Sequence, residues 1–182
     1  MSDKYKFFTQ TDIYFTTTTV VDWVDAFTRP EYSMILVESL QHCIKAKGLE
    51  IYAWCLMSNH LHMLVSAKDS ALLEDIFRDF KKFTSKKIVQ AIKEMPESRR
   101  DWMLNRFEYA GKYLNRIKDY KFWQDGNHPI ICSNHEMLDQ KLDYIHNNPV
   151  KAMLVHEPHH YMLSSAIDYA GGKGMIDVVL LK

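Results

Sequence analysis

Leu49-Glu50-Ile51-Tyr52-Ala53-Trp54-Cys55-Leu56-Met57-Ser58-Asn59-His60-Leu61-His62-Met63-Leu64-Val65-Ser66 reads as two strands and a turn. Leu49 to Leu56 is the outgoing strand, Met57-Ser58-Asn59 the turn, and His60 to Ser66 the return strand. Upstream, Ile13 to Val21 is β-branched and Thr-rich, which suits another strand, and Arg29-Pro30 breaks it. From Glu31 to Lys47, Leu36, Leu40, Cys43 and Ile44 recur at helical spacing, and Gly48 stops that helix. Downstream, Ser70 to Ile92 predicts a long amphipathic helix with Leu73, Ile76, Phe77, Phe80 and Phe83 as its apolar stripe. Met95-Pro96 ends it, and residues 97–115 suggest a further helix. Tyr120 to Gln124 suits a strand and Asp125-Gly126-Asn127 a turn. Asn134 to Asn147 predicts a helix with Leu138, Leu142 and Ile145 on its core face; Pro149 disfavours helical geometry at Asn148 and should end it. Gly171-Gly172-Lys173-Gly174 reads as flexible, and Met175 to Leu181 as a last short strand. Alternating strands and helices around a central hairpin point to an α+β fold. The expected architecture is a ferredoxin-like or RNA-recognition-motif-like antiparallel sheet with helices packed on one face.

A chain of 182 residues supports one domain with a real core. Its 47% hydrophobic and 25% charged residues describe an ordinary globular protein. Net charge is zero, so any nucleic-acid binding must come from a local patch. Cys43, Cys55 and Cys132 are far apart and odd in number, which suggests neither a disulfide framework nor a cysteine zinc site. The polar, aromatic start lacks the apolar stretch of a signal peptide, and no apolar run is long enough to span a membrane. The expected location is the cytoplasm.

Three features carry chemistry. In a strand, His60 and His62 point to one side while Leu61, Met63 and Val65 point to the other. Two adjacent imidazoles make half of a metal site, or a pair on a polar sheet face. Met63-Leu64-Val65 follows, so the Asp-His of HxHxDH hydrolases is missing, as is HExxH. Second, Tyr144 and Asn148 are four apart on one helix face, at the margin of the Leu138–Leu142–Ile145 stripe. Asn148 offers a hard amide oxygen suited to Mg²⁺ or Mn²⁺; the pair also fits a boundary tyrosine and a helix cap. Third, Arg78, Lys82 and Lys86 line the 70–92 helix opposite its phenylalanines, flanked by Lys81 and Lys87. Such a face could track phosphates or simply be solvated. Trp102, Arg106, Tyr109, Tyr113, Arg116, Tyr120 and Trp123 mix aromatics with cations, suiting either stacking on unpaired bases or a core. His159-His160, His128 and His135 lack a spacing partner; His128, in Gly126-Asn127-His128-Pro129, stands out among them.

These pieces together resemble one family. Leu56-Met57-Ser58-Asn59-His60-Leu61-His62-Met63-Leu64 is similar to the HUH signature of single-tyrosine transposases. Tyr144-Ile145-His146-Asn147-Asn148-Pro149-Val150-Lys151-Ala152 resembles the tyrosine motif of their REP-associated branch, as do Phe80-Lys81-Lys82-Phe83-Thr84-Ser85-Lys86-Lys87 and Phe122-Trp123-Gln124. The resemblance spans about residues 10–160, leaving 161–182 as a C-terminal extension of a single domain. Two positions depart from the pattern. Ser58 stands where Pro is frequent, and Met153 where Gly is usual; if that Gly has positive φ, Met153 implies a shifted loop.

The resemblance implies cleavage and rejoining of single-stranded DNA at hairpins, REP-like palindromes, through a 5′-phosphotyrosine on Tyr144. It implies Mg²⁺ or Mn²⁺ held by His60, His62 and Asn148. Arg78, Lys81, Lys82, Lys86, Lys87 and Trp123 are then the candidate DNA contacts. Relatives can form homodimers that share active sites. Competing readings are a single-strand or RNA hairpin-binding module without catalysis, and a small-molecule phosphodiesterase.

Overall fold

A computed structural model describes Phe7 and residues 12–68, 71–114 and 117–181. Ser70, Arg116 and most of the polar start lie outside the described residues. Strand β1 (Tyr14–Thr19) leads to helix α1 (Pro30–Lys47). The hairpin β2 (Leu49–Leu56) and β3 (His60–Ala67) follows, then α2 (Leu73–Glu94) and α3 (Arg100–Gly111). The short β4 (Ile130–Ile131), α4 (His135–Lys151) and one-turn α5 (Ala166–Tyr169) complete the regular elements. Neighbouring strands are antiparallel in the order β2-β3-β1-β4. β1 and β2 thus flank β3 as a split βαβ unit, which is the ferredoxin-like arrangement the hairpin reading predicts. Among the described residues no helix is long and apolar enough to cross a membrane.

β1 ends at Thr19, well before Pro30, and Pro30 opens α1, because the first helical position needs no N–H and accepts proline's fixed φ. Gly48 closes α1 with φ 73°, its N–H reaching the Cys43 carbonyl. Helices α1 and α2 cover one sheet face, where Leu36, Leu40, Phe77 and Phe80 meet Tyr14, Trp54, Leu61 and Met63. The expectation of helices on one face describes these two. Helix α4 covers the opposite face, with Ile145 on Phe15, Ala53, Cys55 and Leu64. A bulge makes this two-sided burial compatible with an apolar β2. Ile51 pairs with Val65 and Ala53 with Leu64, so Tyr52 is extra and the alternation flips beyond it. Ala53 and Cys55 then face α4 while Trp54 and Leu56 face α1 and α2.

Several expectations are corrected. Tyr120–Gln124 is not a strand; only Trp123 bridges to Val20. Phe122 and Trp123 are both buried against Phe27, and consecutive inward side chains are incompatible with strand alternation. The fourth strand is instead Ile130–Ile131, paired with Phe15 and Tyr14. Phe83 is half exposed, because the buried stripe of α2 drifts towards Ile88, Val89 and Ile92 and leaves it behind. The helix expected over 97–115 forms at Arg100–Gly111.

Met175–Leu181 forms no strand, although Val179 N–H donates to the Ile51 carbonyl at 2.9 Å. With Leu56 N–H to Leu163 O (2.9 Å) and Ser165 N–H to Trp54 O (3.0 Å), the C-terminal extension covers the open edge of β2.

Pro149 does not end α4, which runs through it to Lys151. Proline there forfeits its backbone bond and crowds the carbonyl of Ile145, a cost that burial of the Pro149 ring offsets. The helix closes beyond it in a Schellman turn, with Leu154 N–H to Pro149 O and Met153 N–H to Val150 O, both 2.9 Å. Met153 itself takes the left-handed φ of 56°, so the turn forms in place and no shifted loop is needed.

Candidate active site

His60 and His62 occupy alternate positions of β3 on the side facing α4, their ring centroids 4.6 Å apart. Each is oriented through Nδ1. The Asn59 side-chain N–H donates to the Trp23 carbonyl (3.2 Å) and to Asp25 (2.9 Å). This leaves Asn59 Oδ1 at 2.7 Å from His60 Nδ1. A carbonyl oxygen can only accept, so His60 Nδ1 carries the proton and Nε2 presents its lone pair. His62 Nδ1 lies 2.9 Å from the Thr17 hydroxyl, directly across in the β1–β3 register. Burial lowers the pKa of both imidazoles. His62, also beside His60 and Lys141, is held at about 3. Both rings are therefore neutral at physiological pH, the state a metal ligand requires.

Tyr144 projects from α4 over this pair. Its ring lies 5.2 Å from that of His62 and 5.8 Å from Phe15, and it keeps 40% of its surface exposed. The Tyr144 and His62 rings meet within one chain. Asn148 follows one helical turn later, its amide nitrogen 3.5 Å from the Tyr144 carbonyl. Two lysines missed by motif reading share this face. Lys141 Nζ is 4.8 Å from the Phe15 ring centroid and 6.0 Å from that of Tyr144, and Lys151 Nζ is 5.6 Å from Tyr144. Their spacing from Tyr144, three back and seven on, was a legible helical signal.

Behind α4, His146 Nε2 meets the Ser165 hydroxyl at 2.9 Å, and that hydroxyl accepts the Trp54 N–H at 2.9 Å. This bond ties the tyrosine helix to the β2 edge. Burial lowers the His146 pKa to about 4.

Among the described residues no three His, Cys, Asp or Glu side chains gather closely enough to hold a metal. The groups available at β3 are two neutral imidazole nitrogens, and Asn148 carries an amide oxygen on the facing helix. That chemistry fits a six-coordinate divalent ion that keeps positions for water and phosphate.

The expected DNA contacts separate into two groups. Lys82, Lys86 and Lys87 are exposed on α2. Arg78 is exposed but paired with Asp75 and Asp79. Lys81 reaches back to the carbonyls of Gln124 and Gly126, and its burial lowers its pKa to about 8, so it braces a loop. Trp123 is a core residue: it is buried, stacks on Phe27, and donates its indole N–H to Thr84 at 3.0 Å. It is not available to a base. His128 lies in the loop before β4 with φ 45°, and His159 and His160 are exposed, their rings 4.3 Å apart.

Residues 24–116 match the family described as Transposase IS200 like. The chain belongs to that family of IS200-like transposases. The matched stretch includes His60 and His62 and ends before Tyr144. Among solved structures, a REP-associated tyrosine transposase bound to a REP hairpin superposes with a TM-score of 0.66 at 18% identity. It covers 100% of this chain and 96% of that one, and establishes the common fold. A presumed transposase from Deinococcus radiodurans R1 aligns over 60% of this chain and 95% of its own. Its TM-score of 0.37 at 12% identity is too low to bear on function. No curated protein sequence matches the chain.

Proposed function

We propose that the chain cleaves and rejoins single-stranded DNA beside hairpins of the REP-palindrome kind through a 5′-phosphotyrosine on Tyr144. The observation that carries this reading is the 5.2 Å approach of the Tyr144 and His62 rings within one chain. His60, His62 and Asn148 would hold Mg²⁺ or Mn²⁺. When bound, the ion supplies a Lewis-acid charge against the phosphate oxygens. Lys141 and Lys151 flank the phenol and attract the phosphodiester to it. The Tyr144 oxygen bonds to phosphorus, the bond from phosphorus to the 3′ oxygen breaks, and the phenol proton is made up on the departing 3′ oxygen through solvent. The phosphodiester energy is conserved, so a 3′-OH can reverse the step and join strands without ATP. Lys82, Lys86 and Lys87 offer the exposed cationic face for a hairpin backbone, and the REP hairpin held by the structural neighbour supports a partner of that chemistry.

The test is incubation with labelled single strands carrying palindromic hairpins, with Mn²⁺ or EDTA, followed by a denaturing gel. A covalent protein–DNA band is expected with Mn²⁺, absent with EDTA and absent in Tyr144→Phe, which keeps its hairpin affinity. A band surviving in Tyr144→Phe removes the nucleophile assignment. Hairpin binding with no band in any divalent metal would make the chain a binding module.

A further inference from the structure

The turn before α1 holds a feature that neither core packing nor the cleavage chemistry uses. Asp22 and Trp23 are consecutive and both left-handed, with φ of 52° and 54°. Side chains larger than glycine adopt this backbone at a cost, and such outliers persist where surrounding contacts enforce them. Here the Asn59 amide holds the Trp23 carbonyl, and the Arg106 guanidinium stands 3.9 Å from the Asp22 carboxylate. The result is an indole that is 61% exposed and edge-on to His60, the centroids 6.0 Å apart. Beyond Arg106 the outer face of α3 continues the theme. Trp102, Arg106 and Tyr109 fall at i, i+4 and i+7 on one stripe, with Trp102 48% and Tyr109 66% exposed, while Met103 and Phe107 take the buried side.

We infer that Trp23 stacks on an unpaired base next to the scissile phosphate, and that Trp102, Arg106 and Tyr109 extend this platform along the same single strand. The inference rests on the strand-cleaving reading above, because it is that strand which passes His60. A platform alternating aromatic faces with a guanidinium fits nucleobases on a phosphate chain better than it fits an aliphatic protein surface. Stacking is indifferent to base identity, so the platform secures the strand near the nucleophile and leaves sequence choice to other contacts.

The test uses the full chain as Tyr144→Phe, so that nothing is cut, and two fluorescent probes of equal charge: a strand of twenty thymidines and one of twenty abasic sites. The thymidine strand is expected to bind more tightly. Trp23→Ala and Trp102→Ala should each weaken it about tenfold and leave the abasic strand unchanged, with Trp23→Phe retaining most affinity. Thermal melts of the variants should match the parent, since both indoles are exposed. Equal loss on both probes, no loss on either, or no thymidine binding by the parent overturns the inference. The covalent-adduct assay is read separately on the Tyr144 enzyme. An adduct with no Trp23 effect rejects stacking and keeps the function, whereas stacking without an adduct rejects the function.

Discussion

Lys141 has its ammonium over Phe15, within 6.0 Å of the Tyr144 ring, and its charge helps to lower the pKa of His62. It therefore acts on two neighbours in opposite senses. In the proposed reaction it would attract the anionic phosphodiester and repel a cation bound at His62. Lys141→Gln should slow covalent cleavage about 10- to 100-fold, the scale of losing one charged donor at a phosphoryl centre. The same change should tighten Mn²⁺ binding measured by titration calorimetry, because a like charge has gone. Lys141→Arg should keep both behaviours near the parent. Slower cleavage with weaker Mn²⁺ binding would instead mean that the substitution had disordered the histidine pair.

At the scale of elements, α4 decides whether the site exists, because it carries Tyr144, Asn148, Lys141 and Lys151 together. Ile145 packs it on the sheet, the His146–Ser165 bond ties it to the β2 edge, and a Schellman turn closes its C-terminus. The turn places Met153 in left-handed backbone with its side chain 91% exposed, so no packing offsets the strain. Met153→Gly should stabilise the fold by roughly 1 kcal/mol, raising the melting temperature by about 2–4 °C. Met153→Ala should give no such gain, because alanine shares the unfavourable φ; an equal gain from alanine would place the effect in the side chain. The same helix marks where sequence reading stopped. Proline's local preference argued for an end at Asn148, and the tertiary packing of buried Pro149 overrode it. The hairpin, α1 and the facing pair His60–His62 were legible, because strand alternation and glycine capping are local rules. Trp123 and Lys81 were misread because burial between α2 and the 122–126 segment is a long-range outcome. Thr17 as the His62 partner and Trp23 beside His60 were invisible until strand register and turn geometry were known.

The whole molecule is neutral in charge and layered, and its second layer contains the two imidazoles most depressed by burial, His62 and His146. His62 faces His60, Lys141, Tyr144, Phe15 and Thr17 across the β3–α4 gap. His146 faces Ser165 and Tyr169, with Asp143 and Asp168 nearby. Folded values of about 3 and about 4 lie well below the ~6.5 of an unfolded imidazole. Between roughly pH 6.5 and 4 the unfolded chain takes up protons that the folded chain refuses. Stability is therefore full above about 6.5 and is lost as pH falls, by roughly 3 kcal/mol for each imidazole at pH 4. Because His62 lies under α4 and His146 ties that helix to the β2 edge through Ser165, acid should loosen the tyrosine layer before the α1–α2 core. Urea unfolding of the metal-free chain at pH 7, 5.5 and 4.5 should show this loss. His146→Gln, whose amide can still meet Ser165, should reduce the pH slope, leaving the part contributed by His62 and His60. A slope unchanged in that variant would show that His146 does not contribute to the acid sensitivity and leave it to His62 and other groups.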